Sequence, residues 1–386
     1  MLRLLHPRAR ARQSIRTPIR ISTFTVLAVE SSADDTCAAV VTSSRKILSS
    51  VVLKQLTLHE KYGGIEPITA IQAHQRNMPL AVRRALQEAQ VDIVRDIDGI
   101  AFTRGPGMNG CLSVGMNAAK TLAAALAKPL VGVHHMQAHA LTPLLTSDTA
   151  EAPQFPFLTL LISGGHTMIL LAESDVKFKI LVNTADQAIG RVIDKVSALL
   201  AIPWTHLGPG HALEEYCKDV PEGDKVSLGN PTMRGKMEFS FSGVHSQVER
   251  YLRNGGGLEQ LSQDRRKALA FSFQDAAFSQ LDDKIRLAHN WCQSQSIRVG
   301  HLVVSGGVAS NQRLRSRLNV CLKELDPDMP VKAVFPPPNL CTDNAAMIGW
   351  ASMRRFLLKD YDEYEIELRP KWSLEDLALG RNSYLD

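Results

Sequence analysis

FPFLTLLISGGHTMILLAES (155–174) is the stretch whose reading decides the fold, and HLVVSGGVASN (301–311) nearly repeats its centre. In each, an apolar run stops abruptly at Ser-Gly-Gly. The run reads as a buried strand, and paired glycines let the next turn bring backbone N–H groups close to a ligand. Such groups cradle phosphate, above all where a helix begins just beyond them. One Gly-Gly pair merely ends many strands. Two copies about 140 residues apart, in a chain that also holds a His pair and a well-placed Asp, point to a phosphate-bearing ligand gripped from both sides.

The strand–turn–strand pattern of 157–163 and 167–171 has an echo at TVLAVESSADDTCAAVV (25–41), read as strands 25–30 and 36–41 around a Ser/Asp turn. Helical patterns follow at 67–89, 113–127 and 134–145, with strands at 99–102 and 129–133 and the loop RGPGMNG at 104–110. Acidic and proline-rich residues at 147–156 mark the expected boundary. Beyond it, helices are predicted at 185–200, 213–218, 264–293 and from 310, with a strand at 302–305. CTDNAAMIGWASMRRF (341–356) reads as an amphipathic helix folding back onto the first half. Two halves that open alike predict an α/β protein of two similar lobes with a ligand cleft between them. Lobe I would span 23–150, completed by a C-terminal helix at 345–386, and lobe II would span 151–344.

Composition sets limits. At 386 residues the chain is long for one core, and 45% hydrophobic with 22% charged residues is ordinary for a globular protein. No run approaches the roughly 20 apolar residues of a membrane span, so no membrane association is expected. Residues 1–29 hold no acid but carry Arg3, Arg8, Arg10, Arg12, Arg16 and Arg20. That pattern reads as a mitochondrial presequence over residues 1–22, in preference to a nucleic-acid-binding arm. Setting those six arginines aside leaves 38 of the 44 basic side chains against 39 acidic ones, so any RNA partner needs a local patch. The arginines at 313, 315 and 317 and the cluster 265–267 do not by themselves indicate RNA. The six cysteines form no C-x-x-C and read as buried thiols in a reducing compartment.

His135 and His139 in VGVHHMQAHAL (131–141) lie four apart, which on a helix puts both imidazoles on one face, as two metal ligands require. Met136 stands where a zincin protease carries its general-base Glu, which disfavours proteolysis. Asp343 is the best third ligand, and its place before AAMIGWASMRRF also suits a helix N-cap. Two His and one carboxylate would leave positions open for a substrate oxygen. Asp194 reads either as half of a surface charge pair with Lys195 or as an acceptor for a ribose hydroxyl. Asp34 and Asp35 either brace a turn or point a carboxylate into the cleft.

Taken in order, AVESSADDT, GGIEP, TRGPGMNG, VGVHHMQAH, FPFLTLLISGGHT, the IDK around Asp194, FSFSG, SGGVASNQRLR and CTDNAAMIGWA run from about residue 25 to 355. The chain resembles the universal tRNA N6-adenosine threonylcarbamoyltransferases, and its presequence points to their mitochondrial branch. The resemblance implies the actin-like, sugar-kinase and Hsp70 ATPase fold. It implies transfer of a threonylcarbamoyl group from threonylcarbamoyl-adenylate, made by a separate synthase, to N6 of adenosine 37 of tRNAs reading ANN codons, with release of AMP. It further implies one divalent metal (zinc, iron or manganese) on His135, His139 and Asp343, and a homodimer. Leu161, Ile162, Ser163, Gly164, Gly165, Asp194, Gly210, Glu214, Ser310, Asn311 and Thr342 match substrate contacts, and Asp34 is the candidate for assisting proton removal. Departures from the family pattern are Ala33 and Asp35 in the first turn, His211 after Leu207-Gly-Pro-Gly210, and His245 where a lysine often follows FSFSG. The competing readings are an ATP-dependent small-molecule kinase of the same fold and a nucleotide-gated binding or chaperone module.

Overall fold

A computed structural model describes residues 23–148, 150–228, 233–326 and 330–379. The expected presequence lies outside the described residues. In the first half, β1 (Thr25–Glu30), β2 (Thr36–Thr42) and β3 (Ile47–Leu53) form an antiparallel meander, followed by α1 (Leu56–His59) and α2 (Pro67–Ala89). Then come β4 (Gly99–Gly105), α3 (Asn109–Ala125), β5 (Leu130–His134) and α4 (His135–Thr146). The sheet order is β3-β2-β1-β4-β5, with β4 parallel to both β1 and β5.

The second half repeats this plan. β6 (Phe157–Ile162), β7 (Thr167–Ala172) and β8 (Phe178–Thr184) form the meander. They lead into α5 (Ile189–Leu199), α6 (Pro209–Cys217), the short β9 (Glu238–Phe239), α7 (Ser242–Asn254) and α8 (Gln263–Ser294). β10 (His301–Ser305), α9 (Gln312–Lys323), β11 (Lys332–Val334), α10 (Pro338–Cys341) and α11 (Ala345–Leu357) close the chain's regular elements. The order β11-β10-β6-β7-β8-β9 mirrors the first sheet strand for strand, with β9 added at the edge. The duplication expected from the two hairpins is therefore real. Its third strands, β3 and β8, are not legible in the sequence because ILSSVVL and FKILVNT mix polar with apolar residues, as half-buried strands do.

The central strands β1 and β6 are buried along their whole length, consistent with helices covering both faces. One apolar cluster runs from β1, β2 and β5 through α4 and α11 into β6, β7 and β10, joining the two sheets. This explains why α4 shows no polar face: Met136, Ala138, Ala140 and Leu141 are all buried. α11 does return to the first sheet as expected. It ends at Leu357, however, well short of the helix anticipated to 386.

Residues 358–379 instead form a strap. Asp362 N–H donates to Leu130 O (2.9 Å), Arg369 N–H to Arg104 O (2.9 Å), and Glu375 Oε1 accepts from Ile180 N–H (2.9 Å) on the second sheet. Lys359 adopts a left-handed backbone (φ +56°) that turns the chain out of α11, and Arg355 holds the turn by pairing with Asp360 (2.9 Å) and Asp362 (3.0 Å). All six cysteines are buried and free, and no helix among the described residues is long and apolar enough to cross a membrane.

Candidate metal centre and substrate cavity

β5 passes directly into α4, so three histidines meet at one corner. His134 Nδ1 accepts from Met136 N–H (3.1 Å) and Gln137 N–H (3.4 Å), capping the helix, while its Nε2–H donates to Trp372 O (3.1 Å). Burial pushes this imidazole down to about 3, so it is a neutral structural cap. His135 and His139 follow on one helical face, their rings edge to face at 4.7 Å. Both Nε2 atoms converge on Asp343 Oδ1, at 3.4 Å from His135 and 3.1 Å from His139.

Asp343 reaches them because it is not the helix cap that its position suggested. Asn344 caps α11, its Oδ1 accepting from Met347 N–H (3.0 Å). That leaves the neighbouring carboxylate pointing at α4, on which α11 packs.

The donor set fits a divalent cation. One ligand atom from each of the three residues lies within 4.8 Å of the others. The outer nitrogens are also held, as metal-binding imidazoles require. His135 Nδ1 lies 3.1 Å from Glu30 Oε2, and His139 Nδ1 lies 3.4 Å from Ser305 Oγ. Burial opposes the charge on Asp343, but His135 and His139 outweigh it and hold the carboxyl well below the usual range. Conversely, burial lowers His135, yet Glu30 and Asp343 drive it up to about 10. A cation and a proton compete for the same lone pairs.

The sequence motifs assign Glu30 no role. It ends the otherwise apolar β1, is 0% exposed, and also accepts hydrogen bonds from Ser32 N–H and the Thr103 hydroxyl. A charged residue closing a buried strand is the available signal. Replacing Glu30 by Gln is expected to weaken metal affinity about 10–100-fold, measured by competition with a chelating dye. Unchanged affinity would make Glu30 a purely structural residue.

The centre opens onto a cavity of about 800 Å³. His135, Asp343, Ser163, Gly164, Gly165, Asp194, Thr342 and Asp34 all line it, as does His166, which sequence reasoning missed. The two Ser-Gly-Gly loops do not face each other across it. β6 and β10 are adjacent parallel strands, so both loops leave the same end of the sheet side by side. The opposite wall comes from the β1–β2 turn, from Tyr62–Pro67 and from Pro106–Met108. Within the first loop, Gly165 N–H and His166 N–H donate to Ser163 Oγ (3.3 and 3.1 Å), so the hydroxyl takes up part of the expected phosphate cradle.

Leu161 and Ile162 turn their side chains into the two cores, not into the cavity. Gly210, Glu214, Ser310 and Asn311 lie beyond the cavity lining. A Cβ on Gly210 would sit 4.0 Å from Asp194 Oδ1, which puts the start of α6 beside the cavity. Glu214 Oε1 accepts from Gln312 N–H (2.7 Å), Asn311 Oδ1 caps α9 through Leu314 N–H (2.9 Å), and Ser310 Oγ donates to Gly307 O (2.7 Å). These residues make a second group around the N-terminus of α9.

Burial pushes the Asp194 carboxyl up to about 7, with Asp34 adding repulsion, and pushes Asp34 up to about 6, with Asp343 adding to it. The folded protein therefore holds the Asp194 proton where the unfolded chain, ordinary for aspartate at 3.8, has released it. This contribution to stability is present below about pH 4 and is lost as the pH rises toward about 7. Asp194→Asn is expected to gain stability relative to the parent between pH 5 and 8, by urea denaturation at each pH. An equal difference at both pH values would mean that Asp194 titrates normally.

A family model for tRNA N6-adenosine threonylcarbamoyltransferase (TsaD) matches residues 46–350. The chain belongs to this threonylcarbamoyltransferase family. The fission yeast Schizosaccharomyces pombe has a relative named as the mitochondrial tRNA N6-adenosine threonylcarbamoyltransferase, 36% identical over 94% of this chain and 89% of its own length. A relative from Arabidopsis thaliana, named as a probable mitochondrial enzyme of the same kind, is 37% identical over 92% of this chain and 76% of its length. A bacterial threonylcarbamoyltransferase from Roseobacter denitrificans is 40% identical over 92% of this chain and 95% of its own. Among solved structures, the activator of 2-hydroxyisocaproyl-CoA dehydratase from Clostridium difficile superposes with a TM-score of 0.50 at 11% identity, over 88% of this chain and 99% of that one. At that identity the likeness concerns fold alone, and it agrees with the duplicated actin-like architecture.

Proposed function

We propose that this chain transfers the threonylcarbamoyl group from threonylcarbamoyl-adenylate to N6 of adenosine 37 in mitochondrial tRNAs reading ANN codons, releasing AMP. The observation that carries this reading is the family match over residues 46–350, which spans the His135–His139–Asp343 group and all of the cavity lining except Ser32–Asp35. The protein is a mitochondrial acyltransferase, like its named relatives. No observation favours a kinase or a chaperone module.

The donor is a mixed anhydride with a good leaving group, so the protein's task is mainly to position it and to stabilise developing charge. A bond forms between the adenine amine nitrogen and the carbamoyl carbon. The bond from that carbon to the phosphate oxygen breaks, and its electron pair leaves with AMP. The amine proton passes to a carboxylate, for which Asp34 is our candidate. Facing the cavity and pushed up to about 6 by burial, Asp34 is ionised at neutral pH and more basic than an exposed aspartate. Ser163, Gly164 and Gly165 would place the adenylate, with Asp194 and Thr342 beside it. Gly210, Glu214, Ser310 and Asn311 would extend that contact, while Leu161 and Ile162 could contribute only through their backbone. When bound, a divalent cation (zinc, iron or manganese, by its two-nitrogen, one-oxygen donor set) supplies Lewis-acid polarisation to a substrate oxygen. A homodimer is part of the reading.

The test is transfer itself. Purified protein, threonylcarbamoyl-adenylate and unmodified tRNA are expected to give threonylcarbamoyl-adenosine on nucleoside mass spectrometry. Donor binding without any modified nucleoside would replace the transferase reading with a binding role.

A further inference from the structure

The cavity mouth carries a feature that donor chemistry does not use. Tyr62 is 51% exposed there, followed by Gly63 and Gly64, around whose Cβ positions nothing lies within 4 Å, and by Ile65 at 43% exposure. The Lys61 ammonium sits 4.8 Å from the Tyr62 ring centroid. Arg191, exposed on α5, lines the same cavity and makes no hydrogen bond or ion pair among the described residues. Lys195, one turn further along, is held by Gln187 Oε1 (2.5 Å).

Hydrogen bonds tie this rim to the first sheet. Glu66 N–H donates to buried His59 Nδ1 (3.2 Å), and His59 Nε2 meets Gln55 Oε1 (3.2 Å). Gln55 Nε2 donates to Thr36 Oγ1 (3.4 Å), which pairs with His74 Nδ1 (2.8 Å), and His74 Nε2 reaches Ala33 O (3.0 Å). The chain of bonds ends at Ala33 O, beside Asp34, so it links the segment that follows Tyr62 to the cavity wall. The Glu66 carboxylate is occupied by Ile68 N–H (3.2 Å) and Thr69 N–H (2.6 Å), capping α2.

We propose that Tyr62, with Lys61 against its ring and Arg191 on the same cavity lining, is the platform on which a nucleobase of the tRNA anticodon loop stacks while the acceptor adenosine enters the cavity. This rests on the reading of tRNA as acceptor. An exocyclic amine reaches a buried donor only when its base leaves the stack, and the neighbouring base then needs a new partner. Single-stranded RNA finds that partner on aromatic faces, with cations for its phosphates. An exposed ring with a lysine against it, next to bare glycine backbone on a cavity lining that also carries an unpaired arginine, has that chemistry.

The experiment compares the full chain with its Tyr62→Ala, Tyr62→Phe and Arg191→Ala variants. Tyr62→Ala is expected to raise the KM for tRNA about tenfold, with kcat and donor affinity unchanged. Phenylalanine should restore it, and Arg191→Ala should weaken tRNA binding mainly at low salt. A stem-loop RNA carrying 2-aminopurine beside the acceptor should be quenched by the parent and by Tyr62→Phe but not by Tyr62→Ala. That arm needs no transfer, so it decides the platform even if the chain makes no modified nucleoside. Unchanged KM and quenching in Tyr62→Ala overturn the proposal. So does a defect accompanied by altered molar mass, which would assign Tyr62 to a subunit contact, or by lost donor affinity, which would make it a donor wall.

Discussion

His139→Ala is expected to purify without stoichiometric metal and to transfer threonylcarbamoyl on the order of a thousand-fold more slowly than the parent. The imidazole is 1% exposed and supplies one of three converging donors. Removing it leaves only His135 and Asp343, too few to hold a divalent ion firmly. His139 is a cleaner probe than His135. His135 lies between Glu30 and Asp343, so removing it would strand two poorly solvated carboxylates, and lost activity could then reflect lost fold. Alanine is the best helix former, and Asp343 keeps His135 as its partner in the variant. Elemental analysis alongside the transfer assay decides the matter. Full metal content at the parental rate would remove His139 from the centre.

The second large effect separates glycines that shape the site from those that face its contents. Gly306 has φ +101°, and a Cβ there would lie 2.3 Å from Ile162 O. Strain and overlap act together at that point, where the two glycine loops touch. Gly306→Ala is expected to cost roughly 3 kcal/mol or more of stability and to abolish donor binding. Gly164 has no left-handed backbone and no neighbour within 4 Å of an added Cβ, so a methyl there would project into open space beside the cavity. Gly164→Ala should unfold within about 0.5 kcal/mol of the parent and yet lose about 1–3 kcal/mol of donor affinity. Denaturation and donor calorimetry on both variants give the comparison. A destabilised Gly164→Ala with normal donor affinity would reverse the two roles.

How far the sequence reaches can be followed residue by residue. The i, i+4 spacing of His135 and His139 is enough to put them on one helical face, because helix periodicity is local. It cannot assign the cap of α11, since Asp343 and Asn344 are both good caps and only the packing of α11 on α4 decides which side chain turns outward. The two Ser-Gly-Gly loops are visible as strand ends. Their placement side by side depends on β10 inserting next to β6, a pairing between residues far apart in the chain. Leu161 and Ile162 belong to the matching motif, but the two-residue alternation of β6 sends their side chains into opposite cores.

By itself, then, the sequence determined the repeated hairpin plan, the apolar strands, the helical His pair and the family, since each is written in short-range spacing or in ordered motifs. Only the tertiary structure decided that Glu30 buttresses His135, that residues 358–379 tie the two sheets together, and that Asp34 and Asp194 share one cavity in which burial raises both carboxyls. Those features arise from burial and from contacts between distant segments, and both exist only once the two sheets have closed around α4 and α11.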